Sequence, residues 1–196
     1  MDDIKSALEI AQEKVEKLGE ATEEERLKWK HVPEGEQLAA RYLKENVNLI
    51  AELGQYPEQI KKYVIRGATG ILIRNISLPT SERATKNNRK AMEGIKTLKS
   101  DKVSVENVYS RIRHIFNHHA EQGEKQRKQA YEQLKAEFEA KVQQAAQQQL
   151  GTDTSARINV ERLPQFQQEW HRIQRQMESQ YLKLLDEYKQ ELSSIK

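Results

Sequence analysis

Along most of the chain apolar residues recur at steps of three and four, the period of one face of an α-helix. Ile4, Leu8, Ala11, Val15 and Leu18 form the narrowest stripe, spaced like the a/d seam of a coiled coil until Gly19 stops it. Thr22 then begins a second helix, its hydroxyl placed to cap while Glu25 reaches back three residues. That helix carries Leu27 and Trp29 and is expected to end before Pro33, because proline removes a helical hydrogen bond. Leu38, Tyr42, Leu49, Ile50 and Leu53 define a further amphipathic helix that Gly54 closes.

Tyr56-Pro57 opens the next element, since proline in a first helical turn sacrifices no intrahelical bond. The run YVIRGATGILIRNISL reads two ways. Ile60, Val64, Ala68, Ile71, Leu72 and Asn75 share a helical face, whereas the β-branched residues from Ile71 to Ile76 suit a strand. No second strand is evident for it to pair with, so helix is expected, ended by Pro79. Ser81 is placed to cap a polar helix holding Ala84, Ala91, Met92, Ile95 and Leu98.

The longest feature follows. From a cap expected at Ser104, Val105, Val108, Ile112, Phe116, His119, Gly123, Arg127, Ala130, Leu134, Phe138, Ala145 and Leu150 track one face until Gly151, with no proline between. At about 1.5 Å per residue such a helix is roughly 70 Å long and needs a partner along its length. After the polar loop GTDTSARINVERL, Pro164 starts a run in which Phe166, Trp170, Ile173, Met177, Tyr181, Leu184, Tyr188, Leu192 and Ile195 again step by three and four. A short connection makes the two helices antiparallel, and a turn between 150 and 164 makes facing residue numbers add to about 314. That register sets Ala145 against Trp170, Phe138 against Met177 and Leu134 against Tyr181, with Leu184 on the same stripe.

The expected fold is therefore all-α. Several shorter helices in 1–103 make a helical body, and about 104–150 with 164–195 make a long antiparallel coiled-coil hairpin. In this register the second hairpin helix runs out near His119, so 104–118 are expected to pack on the body.

Composition agrees with narrow buried stripes: 36% of the 196 residues are hydrophobic and 32% charged. Without cysteine there is no disulfide framework, thiolate nucleophile or Cys-ligated metal. The start resembles no signal peptide, and no run approaches the roughly 20 apolar residues of a membrane span, so a soluble cytoplasmic protein without membrane contact is expected. The net charge of +3 is unevenly spread: residues 1–36 hold 11 acids against 6 bases, and residues 58–128 hold 7 acids against 16 bases. The basic middle suits a polyanion or the chain's own acidic N-terminal segment.

Candidate chemistry centres on HIFNHH, residues 114–119. At 100° per residue His114, His118 and Glu121 share one face, directed away from Ile112, Phe116 and Gly123. Two histidines one turn apart with a carboxylate are a candidate divalent-metal site, a fourth ligand coming from elsewhere. His119 belongs to the packed side, as a polar residue that fixes register. Gly67 and Gly70 superficially match the G-x-x-G clamp of single-strand-binding modules, but that loop requires strands absent here, and two small residues admitting a close helix approach are the simpler reading. Arg83, Lys86, Arg89, Lys90, Lys96 and Lys99 give a basic surface within 83–128 without aromatics for stacking. The QQAAQQQ run, 143–149, suits a solubilised helix, and Gly123 marks a kink, a close crossing or a hinge. No phosphate loop, dinucleotide fingerprint, zincin motif or nucleophile elbow occurs, and no cofactor is expected.

The segments VPEGEQLAARYLK, IRNISLP, FNHHAEQGEKQRKQAY and LLDEYKQEL are similar to those of an uncharacterised bacterial all-helical protein family of unknown function. The resemblance implies a family extending over almost the whole chain and carries over no activity and no functional residue.

The leading expectation is a non-enzymatic interaction or scaffold protein whose arm meets a protein partner or a second copy of itself. A second reading is a nucleic-acid- or ribosome-associated protein using the basic segment. A third is a metal-dependent helical enzyme at His114, His118 and Glu121.

Overall fold

In the computed structural model residues 21–45, 47–150 and 159–196 are described, the side chains of 148–150 excepted, and the secondary structure among them is entirely helical. The fold is all-α. The seam from Ile4 to Leu18 and residues 151–158 of the polar loop lie outside the described residues. The helices are α1 (Glu23–Lys44), α2 (Leu49–Gly54), α3 (Glu58–Arg74), α4 (Glu82–Leu98), α5 (Lys102–Leu150) and α6 (Pro164–Ser194), with a 3-10 turn at Val160–Arg162. The chain divides into two compact units, one of 1–76, 86–105 and 195–196, the other of 77–85 and 106–194.

In the first unit the capping box expected at Thr22 forms: the Thr22 hydroxyl accepts from the Glu25 amide at 3.2 Å, and Glu25 Oε2 accepts from the Thr22 amide at 2.9 Å. The helix it opens does not end before Pro33 but runs through it to Lys44. Pro33 deletes one backbone bond, but the adjacent turn is held from outside by α3. A Cβ on Gly35 would lie 2.0 Å from the Val64 carbonyl oxygen, and one on Gly67 would lie 2.0 Å from the Val32 carbonyl oxygen. Only hydrogen fits at either position, so the two backbones cross at van der Waals contact, with Ala39 and Ala68 fully buried. Gly70, by contrast, faces open space apart from the Arg74 guanidinium, so one of the two glycines of G-x-x-G serves the crossing and the other does not.

The helix expected to span Leu38 to Gly54 is two helices. Asn48 interrupts it, its side-chain oxygen accepting from the Ile50 and Ala51 amides at 3.0 and 3.2 Å, which satisfies two orphan donors of α2. The ambiguous run around Gly67 is helical as far as Arg74. There Asn75 turns its amide onto the Ile71 carbonyl at 2.8 Å. Leu72, Ile76 and Ile95 are completely buried in the resulting core, each contributing about 1.5–3 kcal/mol by removal from water.

Ser81 caps as expected, accepting from the Ala84 amide at 3.2 Å. The cap of α5 is one turn earlier than Ser104: the Asp101 carboxylate accepts from the Ser104 amide at 3.0 Å and its hydroxyl at 2.6 Å. Those bonds hold the Asp101 carboxyl below the usual carboxylate range, the side-chain bond contributing most.

In the second unit α5 and α6 run antiparallel, in a different register from the expected one. Arg111 pairs with Glu191, His119 meets Tyr181, Tyr131 meets Trp170 and Phe138 meets Phe166. Facing numbers thus add to about 302, a shift of roughly three helical turns. The 3-10 turn buries Val160 and sets Glu161 Oε1 2.7 Å from Lys135 Nζ, so Pro164 begins α6 beside the middle of α5 rather than at its far end. In this register α6 does not run out at His119, and it continues beside α5 as far as the Arg111–Glu191 pair.

Candidate functional site

Along α5 and α6 of the second unit lies a groove of about 660 Å³, with Ile115, Ala130, Ile173, Met177 and Leu184 among its lining. No Asp, Glu, Lys or Arg lines it, although 32% of the chain is charged; its polar members are glutamines, His114, His118 and Tyr181. Half-buried Ile173 and Met177 cannot complete an interior between two helices alone, because beyond Gly123 α5 buries only Leu134 among its described side chains.

At one end of the groove the histidine cluster is resolved. His118 Nδ1 lies 2.8 Å from the Tyr181 hydroxyl, while the His119 ring stands edge-on to the Tyr181 ring with centroids 5.2 Å apart. His119 is only 3% exposed. Arg127 Nη1 is 3.2 Å from His119 Nε2. A guanidinium only donates, so Nε2 accepts, and the neutral ring carries its proton on Nδ1, a buried atom with no hydrogen-bond partner among the described residues. Burial first, then the Arg127 charge, lowers the His119 pKa, while Glu178 opposes them. Gly123 makes the space: a Cβ there would stand 3.1 Å from Arg127 Nη1 and 3.5 Å from the Tyr181 hydroxyl.

The metal candidate is not assembled. His114 and His118 both line the groove, but His118 is turned to Tyr181, and among the described residues no group of three histidine or acidic side chains is placed to hold a metal ion. Glu121 is exposed outside the groove lining. His119 faces inward, as its helical angle implies, and α5 passes Gly123 as continuous helix.

Of the expected hairpin residues, Leu134 is buried, and Phe138 and Trp170 meet Phe166 and Tyr131 rather than Met177 and Ala145. Ala145 is exposed, since Phe166, in the first turn of α6, already faces Phe138, well short of it. Met177, Tyr181 and Leu184 line the groove, Leu184 remaining 42% exposed. Tyr131, Phe166 and Arg127 were not singled out as partners. Arg127 was detectable as a charge on an apolar stripe, eight residues from His119.

The basic candidates separate. Lys86, Arg89 and Lys90 line an open cleft of about 510 Å³ in the first unit, with Tyr42, Asn48 and Glu93. Lys90 donates to the Glu45 carbonyl at 2.8 Å and sits 5.3 Å from the Tyr42 ring centroid. Lys99 is turned onto the Ile195 carbonyl, Lys96 is exposed outside the cleft, and Arg83 belongs to the other unit.

No helix among the described residues is long and apolar enough to cross a membrane. No curated protein and no solved structure matches the chain. Residues 50–194, which include both long helices, the groove and the His119 cluster, match the family described as Family of unknown function (DUF6657), and the chain belongs to that family.

Proposed function

We propose that the chain is a non-enzymatic interaction protein of the cytoplasm, whose paired long helices act as a coiled-coil arm presenting a groove to another protein. The observation that carries this reading is the groove bordered by Ile115, Ile173, Met177 and Leu184, with no Asp, Glu, Lys or Arg in its lining. An extended apolar lining on two otherwise highly charged helices is what protein contact sites require and what an isolated hairpin does not. Affinity capture with the full chain tests it: proteins retained by the wild type are lost from Met177→Glu when both melt alike. Equal retention overturns it.

A second reading has its own observation, the cleft that gathers Lys86, Arg89 and Lys90 beside Tyr42. Three cations and one aromatic ring suit a phosphate-bearing strand. Its test is filter binding with single-stranded RNA across a salt series, where binding falls steeply with salt and is lost in Lys86→Ala/Arg89→Ala; no retention at low salt removes it.

A further inference from the structure

Resting on the hairpin reading, we infer that the occupant of the groove is a second copy of this chain, joined through a two-fold axis into a four-helix bundle. In a two-fold interface the lining of one copy meets the same lining of the other, so a lining that carries a single sign of charge repels its copy. Here that repulsion is reduced to the two histidines, His114 and His118, because no Asp, Glu, Lys or Arg lines the groove. The exposed polar members Gln126, Gln176 and Gln180 fit the same geometry. A primary amide carries both donor and acceptor groups, so glutamine from one copy satisfies glutamine from the other. A partner rich in carboxylates, Lys or Arg finds no Asp, Glu, Lys or Arg to pair with in this lining, whereas a second copy brings the same apolar and amide side chains.

Packing supports the same occupant. Two antiparallel helices supply half of a four-helix bundle, and the residues left half-covered combine a small side chain, Ala130, with large ones, Ile173 and Met177, as interdigitation across a bundle requires. Leu182 and Leu184, 50% and 42% exposed, extend the apolar surface.

Light scattering of the full chain over a concentration series tests the inference. The wild type should give twice 22.9 kDa. Gln180→Glu, at a position exposed in the single chain, should place an unpaired carboxylate in the interface and return the single-chain mass with an unchanged helical circular-dichroism spectrum. Gln174→Glu, outside the groove, should leave the doubled mass intact. Since the chain has no cysteine, Gln180→Cys also accepts one spin label, and a single short inter-copy distance is expected. A wild type of single mass at every concentration, or a doubled mass that survives Gln180→Glu, overturns the inference. If the wild type is a single chain yet Met177→Glu abolishes capture of another protein, self-association falls while the hairpin reading stands; if capture is also unaffected, both fall.

Discussion

Phe166 stands edge-on to Phe138, ring centroids 5.4 Å apart with an 87° angle between the planes, and Tyr131 stands edge-on to Phe166 at 5.5 Å. Phe166 is one of the few completely buried residues of α6 and sits two residues beyond its first. Together these rings fix where α6 begins along α5. Phe166→Ala should therefore cost about 3–5 kcal/mol in urea unfolding, the usual penalty for emptying a buried aromatic site. Ala145→Asp, at the position expected to face Trp170, should change stability by less than about 0.5 kcal/mol.

This register marks the boundary of what was legible. Each long helix was readable from its own stripe, because periodicity is a local property, and so were Thr22, Ser81 and the inward His119. The register was not readable, since it depends on where along α5 the chain stands when Pro164 begins α6, and a loop carries no periodicity. Pro33 misled for a related reason: its local penalty is visible in the sequence, whereas the contact of Gly35 with Val64 that holds the same turn is 29 residues away. The groove escaped notice because it combines residues from two helices whose alignment was unknown.

The crossing of α1 and α3 should be intolerant of a single methyl group. Gly35→Ala and Gly67→Ala each drive a Cβ into a carbonyl oxygen of the facing backbone, which cannot rotate aside as a side chain can. Either substitution should cost more than about 3 kcal/mol, or prevent folding, as read by thermal melting followed by circular dichroism.

The same substitution at Gly123 should have the opposite sign. The atom nearest the new Cβ is the end of the flexible Arg127 side chain, 3.1 Å away, and it can swing clear. Removing a mid-helix glycine should then raise stability by about 0.5–1 kcal/mol. A loss of comparable size in the same melt would mean that the Arg127–His119 bond outweighs helix propensity.

The lowered His119 pKa predicts a pH dependence. The unfolded chain takes up the imidazole proton near the ordinary value of about 6.5, and the folded chain only at lower pH, so the native state binds fewer protons between the two. This contribution to stability is present above about pH 6.5 and is lost as pH falls through that window. Around the ring, Arg127 and Glu178 pull in opposite directions, and His118 and Tyr181 complete its titratable surroundings. Urea unfolding at pH 7.5 and 5.5 should show a larger loss for the wild type than for His119→Gln; equal losses would remove His119 from the account.

The most direct measurement of the central claim is photo-crosslinking in cells, with a photoreactive amino acid placed at Gln180 in the groove or at Arg175 on the separate surface beside Glu178. The account predicts discrete adducts of higher mass from position 180, including one of twice the chain mass, and none from position 175. No adduct from 180, or the same adducts from both positions, would contradict the groove as the surface through which this protein works.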